Sequence, residues 1–268
     1  AADAVALAHQ AIDRIRLAAD AKGPVETLSG TVKVTAERAA SQLALSSGYA
    51  LAARQLDLTG ITFDGPSTRL DGNLQLGLER PLASGRLAGQ IGDMAGLAPW
   101  IGQRLAGSAT LDLRLETPQD RQDAVLKLAG TSLGGDFGSL RTVVLDASVR
   151  DALGSAALEA SLKAEGLSMP DVAVDQVAVD ASGRLADLAV KLAARGKQGE
   201  QPFDLNAAAG LDLPGPRKTV RLTSLDGTLR VDWLPHDRVF GSSRSAVVWT
   251  HDGQLPLGLR YDAHVVHV

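Results

Sequence analysis

The sequence predicts an all-β protein: an elongated, curled sheet (a β-taco or open, β-helix-like groove) of many short strands, with one short helical insertion near residues 93–101. Three observations predict it. Apolar and polar residues alternate at period two over most of the chain, which marks strands with one apolar face. Clusters of Gly, Pro, Asp and Ser punctuate the runs, Gly supplying positive φ and Pro fixing φ negative. The apolar faces are almost all Leu, Val, Ala and Ile, with three Trp, two Tyr and four Phe in 268 residues, whereas a compact core of this size usually draws on bulky aromatics to fill volume.

In chain order, residues 1–10 read as a helical start. Strands follow at 30–36, 42–52, 55–63, 68–78 and 85–91, with turns at Asp64-Gly65-Pro66 and Asp71-Gly72-Asn73. The alternation then breaks. Met94, Leu97, Ala98 and Ile101 have helical spacing, Asp93 is placed to cap, and Pro99 limits the helix to about two turns. Trp100 in this insertion reads as a plug for the end of an apolar layer, with a ligand anchor as the other possibility.

The clearest alternation is at 109–116, where Ala109, Leu111, Leu113 and Leu115 oppose Thr110, Asp112, Arg114 and Glu116. Strands at 124–130, 140–150, 155–165, 171–180, 187–194, 203–213 and 220–231 complete the series. Gly134-Gly135-Asp136, Ser182-Gly183-Arg184, Leu213-Pro214-Gly215-Pro216 and Asp226-Gly227 supply turns. Many breaks are short, which favours antiparallel neighbours. The strand–turn units recur loosely, without a fixed period, as quasi-repetitive stacking. Two segments result: 1–232 as the β-groove, and 233–268 as an atypical tail or cap. The latter holds His236, His251, His264 and His267, and the alternation fades there.

Composition and motifs exclude several function classes. With no Cys there is no disulfide, thiolate nucleophile, Cys-ligated zinc or iron–sulfur cluster. A formal net charge of -4 argues against nucleic acid as partner. No apolar run approaches the length of a membrane span. The chain starts at Ala1 with no basic segment before an apolar one, and reads as an internal piece of a longer protein.

No reactive constellation is present: His-Glu-x-x-His and Gly-x-Ser-x-Gly are missing, Gly166-Leu167-Ser168-Met169-Pro170 lacking the second Gly. Gly130-Thr131-Ser132-Leu133-Gly134-Gly135 has no Lys for a P-loop and reads as a plain turn. His264 and His267, three apart, face opposite sides of a strand and suit no shared metal. Asp171, Asp175 and Asp180 lack a calcium-loop pattern and read as solvated acids of a strand carrying Val172, Val174, Val177 and Val179. The expectation is a protein without enzyme activity, metal or cofactor.

Such a face admits two arrangements. In a sandwich or closed β-helix the apolar faces cover each other. In a trough the face stays open. Some 14 strands at about 4.8 Å each stack to roughly 65–70 Å. An aliphatic trough suits acyl chains, since each buried methylene is worth about 0.8 kcal/mol and a 16-carbon chain on the order of 12 kcal/mol. A uniform lining keeps that energy nearly constant along its length, so a chain slides without deep traps.

Two phrases carry a resemblance. Leu97-Ala98-Pro99-Trp100-Ile101-Gly102-Gln103-Arg104-Leu105-Ala106-Gly107-Ser108-Ala109-Thr110-Leu111-Asp112 and Leu222-Thr223-Ser224-Leu225-Asp226-Gly227-Thr228-Leu229 resemble the Leu-Ala-Pro, Leu-x-Gly and strand phrases of the TamB / AsmA-like family of Gram-negative bacteria. The likeness covers about residues 10–232. It implies a parent protein anchored in the inner membrane, a periplasmic β-structure with an apolar groove, and passage of phospholipid between membranes in support of outer-membrane protein assembly. It further implies an outer-membrane barrel partner of the TamA type, although residues 233–268 do not resemble the family's C-terminal domain. The family carries no catalytic residues to transfer.

The expected lining for phospholipid acyl chains is Leu111, Leu113, Leu115, Leu126, Leu128, Val143, Leu145, Val149, Leu158, Leu162, Leu188, Val190, Leu192, Phe203, Leu205 and Leu211. The competing expectations are a closed scaffold acting through edges and loops, and a β-helical polysaccharide enzyme. The enzyme would need clustered acids and aromatics, and Trp233, Phe240 and Trp249 fall near the tail.

Overall fold

The computed structural model describes residues 5–7, 10–52, 54–136, 138–213, 218–228 and 247–251. The strands are β1 (Val5–Leu7), β2 (Gln10–Ile12), β3 (Arg14–Lys22), β4 (Ser29–Arg38), β5 (Ser41–Ala52), β6 (Gln55–Gly65), β7 (Thr68–Gly77), β8 (Ala83–Ile91), β9 (Ala106–Glu116), β10 (Asp123–Gly135), β11 (Gly138–Arg150), β12 (Ala157–Ser168), β13 (Val172–Arg184), β14 (Asp187–Gln198), β15 (Gln201–Asp212), β16 (Lys218–Thr228) and β17 (Val247–His251). β1 and β2 form a two-stranded hairpin. Strands β3 to β17 form one fifteen-stranded sheet in strict sequence order. Every neighbouring pair is antiparallel, as the short breaks between runs predict. The sheet is open and curled, of the class the alternation predicts.

A single layer has no conventional core. Among the described residues the buried apolar side chains are Ile12, Ile61, Trp100, Ala156, Val174 and Leu188, and no large side chain is fully buried. Most aliphatic strand residues are half-covered by their neighbours on the same face.

Five irregularities interrupt the ladders, between Ser46 and Gly48, Leu58 and Ile61, Thr131 and Gly134, Val174 and Gln176, and Ala208 and Ala209. A bulge adds a residue, bends the strand and increases its twist. The twist accumulated over fifteen strands, sharpened at these points, accounts for the curl.

The helical insertion is present as a 3-10 turn, Met94–Leu97, running into α1 (Ala98–Ile101). Asp93 caps it, its Oδ1 accepting from the Ala95 N–H at 2.9 Å. Gly102 ends it at φ 75°, in the left-handed region open to glycine.

Several expectations are corrected. Asp71-Gly72-Asn73, Ser182-Gly183-Arg184 and Asp226-Gly227 are not turns but lie within β7, β13 and β16, where ladder pairing keeps them in the strand. The helical start over 1–10 is replaced, where described, by strands β1 and β2; an isolated apolar run this short cannot offset the cost of helix nucleation. β3 is an additional strand, hidden from the alternation because its face of Ile15, Leu17, Ala19 and Ala21 is opposed by Ala18 amid Arg14, Arg16, Asp20 and Lys22, which blurs the contrast. Residues 130–135 are not a plain turn but the end of β10, bulged at Ser132 (φ 52°) and paired to β11 as far as Gly135–Gly138. β17 lies within 233–268 and pairs with β16. His236, His264, His267, Trp233 and Phe240 lie outside the described residues.

One side chain replaces a missing piece of ladder. Gln122 is buried before β10; its Oε1 accepts from Ala83 N–H at 2.7 Å and its Nε2 donates to Ala83 C=O at 2.9 Å. The amide thus acts as an extra peptide unit at the start of β8. Gln122→Ala leaves both Ala83 groups without these partners and is expected to cost about 1–3 kcal/mol. Gln103→Ala, at an exposed position, is expected to stay within about 0.5 kcal/mol. Urea unfolding of both variants measures the difference.

Candidate functional site

In an antiparallel ladder, residues directly opposite each other point to the same face. Following the register from strand to strand therefore maps the face without reference to burial. Four rows run across β8 to β15: Gly85–Leu115–Ala124–Val149–Leu158–Gly183–Leu188–Leu211, Leu87–Leu113–Leu126–Ala147–Ala160–Ala181–Val190–Ala209, Gly89–Leu111–Leu128–Leu145–Leu162–Val179–Leu192–Ala207, and Ile91–Ala109–Gly130–Val143–Ala164–Val177–Ala194–Leu205. No polar side chain stands in any of them. Eight strands at about 4.8 Å make this surface roughly 34 Å long between its outer strands.

All sixteen residues expected to line a groove stand on this one face. Fifteen belong to the four rows, and Phe203 stands two residues before Leu205 on β15. Leu188 is 3 % exposed, and the other fifteen are half-buried.

Sequence reasoning missed a fifth row: Leu133–Leu140–Leu167–Val174–Gly196–Phe203. Strict alternation assigns Leu133 to the opposite face from Leu128. The bulge at Ser132 reverses that assignment. A β-carbon on Gly130 would lie 3.0 Å from both Leu133 Cδ1 and Val143 Cγ1, so Leu133 covers the apolar face. At the other end of this row, Phe203 Cζ lies 3.0 Å from the β-carbon position of Gly196. The missed signal was an apolar spacing of three: Gly130 to Leu133, Leu140 to Val143, Ala164 to Leu167 and Val174 to Val177.

The face continues toward β3 through Leu70 and Leu74 of β7, Leu58, Ile61 and Phe63 of β6, and Leu45 and Val34 to Leu17. Leu45 and Leu17 are the most open of these, at 42 % and 68 %.

Trp100 supports the plug reading. It is 6 % exposed, and its Nε1 donates to Ser41 Oγ at 2.8 Å. Ser41 precedes Leu43 and Leu45 on the same face of β5, so the indole covers the margin of the apolar surface.

The opposite face carries the charge. Arg86 binds Asp112 with both guanidinium arms, Nε to Oδ1 at 3.0 Å and Nη2 to Oδ2. Asp112 pairs across the ladder with Lys127, and Lys127 with Asp146. The Arg86 hydrogen bond holds the Asp112 carboxyl below its ordinary value, aided by the charges of Arg86, Arg114 and Lys127. A hydrogen bond from Thr31 Oγ1 does the same for Asp20. Between these polar rows lies a shallow depression of about 710 Å³ that includes Arg69, Asp71, Gln90, Asp112 and Lys127. Asp175 and Asp180 are exposed on β13. Among the described residues no group of three His or acidic side chains is placed to hold a metal ion, and no helix is long and apolar enough to cross a membrane.

No protein-family model matches this chain, and neither a curated protein nor a solved structure matches it.

The shifted carboxylates give a signed pH dependence. A carboxyl whose folded pKa is depressed stabilises the fold above its unfolded value, and that contribution is lost as pH falls through the folded value. For Asp112 and Asp20 it is present above the ordinary value of 3.8 and lost below it. Carbon-detected NMR titration is expected to place the Asp112 midpoint below 3.8 in the native chain and closer to 3.8 in Arg86→Gln.

Proposed function

We propose that this chain is a non-enzymatic segment of a periplasmic lipid conduit, passing phospholipid between the inner and outer membranes in support of outer-membrane protein assembly. The observation that carries the reading is the set of four aliphatic rows, without a polar interruption, on the open face of a single-layer sheet. Hydrocarbon laid on this surface exchanges water for methyl and methylene contacts at any point along the rows. Each methylene fully removed from water contributes about 0.8 kcal/mol, and a half-covered one contributes less.

The four rows are also even. Leu, Val, Ala, Ile and Gly follow one another in them without aromatic or charged side chains, so the interaction changes little from one strand to the next. The headgroup stays at the rim, where the strand ends carry charge, while the tails follow the rows. The resemblance to the TamB / AsmA-like family supports the periplasmic setting, the inner-membrane anchor of the parent protein and a barrel partner of the TamA type. A closed scaffold would need this face zipped against another apolar layer, and the sheet is open.

Mass spectrometry of the purified chain is expected to find co-purifying phospholipid. Leu113→Asp with Leu162→Asp places two carboxylates among apolar neighbours and is expected to reduce bound lipid, and transfer between donor and acceptor vesicles, by at least roughly tenfold. Circular dichroism and unfolding curves establish that the double variant is folded. Undiminished transfer by that folded variant overturns the conduit.

A further inference from the structure

We propose that the insertion over 93–102 is a strap that holds the curl of β4 to β9 and sets the width of the apolar face there. The strap itself stands on geometry alone; its consequence for acyl chains rests on the conduit reading.

Two contacts carry it, both at the same end of the sheet. Just before it, the Gly92 N–H donates to Ser67 C=O at 2.6 Å and extends the β7–β8 ladder to the turn between β6 and β7. In its middle, Gly96 sits against Pro66 of that turn so closely that a β-carbon there would lie 2.8 Å from Pro66 Cβ. Near its end, Trp100 reaches Ser41, at the turn between β4 and β5. The insertion joins β8 to β9, so it ties its own hairpin to the two preceding ones on the same side.

Hairpin turns at one end of a sheet recur every two strands, about 9.6 Å apart along the sheet. Ladder hydrogen bonds fix neighbouring strands, but the cumulative angle between β4 and β9 is soft, because each step twists over a range. A link across three turns removes that freedom. Trp100 suits such a link, because its apolar body is buried at the margin and its one donor is used by Ser41. Ile101, the next residue, is 41 % exposed and free of that role. Gly102, in the left-handed region, lets the chain leave the helix for β9.

The strap also closes the face laterally. It stands where the apolar surface meets the turns of β5 to β8, so hydrocarbon there is confined to the direction of the rows. Releasing it opens that margin and allows β4 and β5 to splay away from β8 and β9.

The chain has no Cys, so single labels are readily placed. Spin labels at Gln42→Cys on β5 and Gln90→Cys on β8, both exposed on the polar face, report the width across the strap. Labels at Lys163→Cys on β12 and Lys191→Cys on β14 are the control. Pulsed electron–electron resonance is expected to give one narrow distance for the first pair in the native sequence. With Ser41→Ala or Trp100→Phe, that distance is expected to lengthen and broaden while the control pair stays fixed. An unchanged first distance in both variants overturns the strap, and so does equal broadening of the control pair. Absence of co-purifying lipid from the native chain would count against the conduit and would leave these distances as they are.

Discussion

The register of the antiparallel ladder is the constraint on which the rest of this structure depends. Partners across each ladder share a face, so a one-residue slip between any two strands would turn the aliphatic residues of one outward. From β8 to β15 the pairing keeps Leu, Val, Ala and Gly in phase over seven successive interfaces. Where a strand's own sequence falls out of phase, the backbone restores it. Ser132 at φ 52° and Gly166 at φ 65° lie between apolar residues three apart, and the residues that follow them, Leu133 and Leu167, return to the apolar face. The irregularity recurs at the same level on adjacent strands, β10 through β13. It works as a crease across the sheet rather than as isolated defects.

A sheet without a second layer draws its stability from neighbours alone. Each inner strand is held by two ladders and by the aliphatic side chains before and after it in the same row, so the energetics approach those of a linear array of repeats. Half-burial of nearly every lining residue follows from this, and Leu188 at 3 % is an exception. The polar face contributes cross-strand charge pairs such as Arg86–Asp112, Arg150–Glu159 and Arg195–Asp204, all open to solvent. Surface pairs of this kind are worth little individually, but they bias the sheet toward facing water on that side. The chemical contrast between the faces thereby fixes which one turns from water.

Much of the fold was legible because period-two alternation is a direct image of the pleat. The strands β9 and β12 can be read from Leu111, Leu113, Leu115 and from Leu158, Leu162 with little ambiguity, and the cap at Asp93 from its place before a helical spacing. The parts that escaped have physical reasons. Bulges are invisible to a strict alternation rule, so Leu133, Leu140, Leu167 and Val174 were left out of the lining although they extend it. In β3 an alanine on the opposing side weakens the contrast that reveals a strand. Long-range contacts leave no local trace: nothing around Trp100 announces Ser41, and nothing around Gln122 announces Ala83. Those contacts depend on the curl, which is a property of the whole sheet.

Three of the polar side chains that stand on the apolar face bear on the proposed contact with hydrocarbon. Ser47, Tyr49 and Thr68 lie within β5 and β7, where an unpaired hydroxyl would be a sticking point for a sliding tail or an entry point for water. Each is occupied within the protein. Ser47 Oγ donates to Gly48 C=O at 2.8 Å, Tyr49 Oη to Asp20 C=O at 2.7 Å, and Thr68 Oγ1 to Pro66 C=O at 3.1 Å. Tyr49 also covers Gly30, which has no side chain of its own to fill the row. With their donors turned into the backbone, these residues present mainly carbon to the face. At these three positions the aliphatic character of the rows from β8 onward is continued, and the paired Arg38 and Ser41, beside the strap, mark the polar margin of the face.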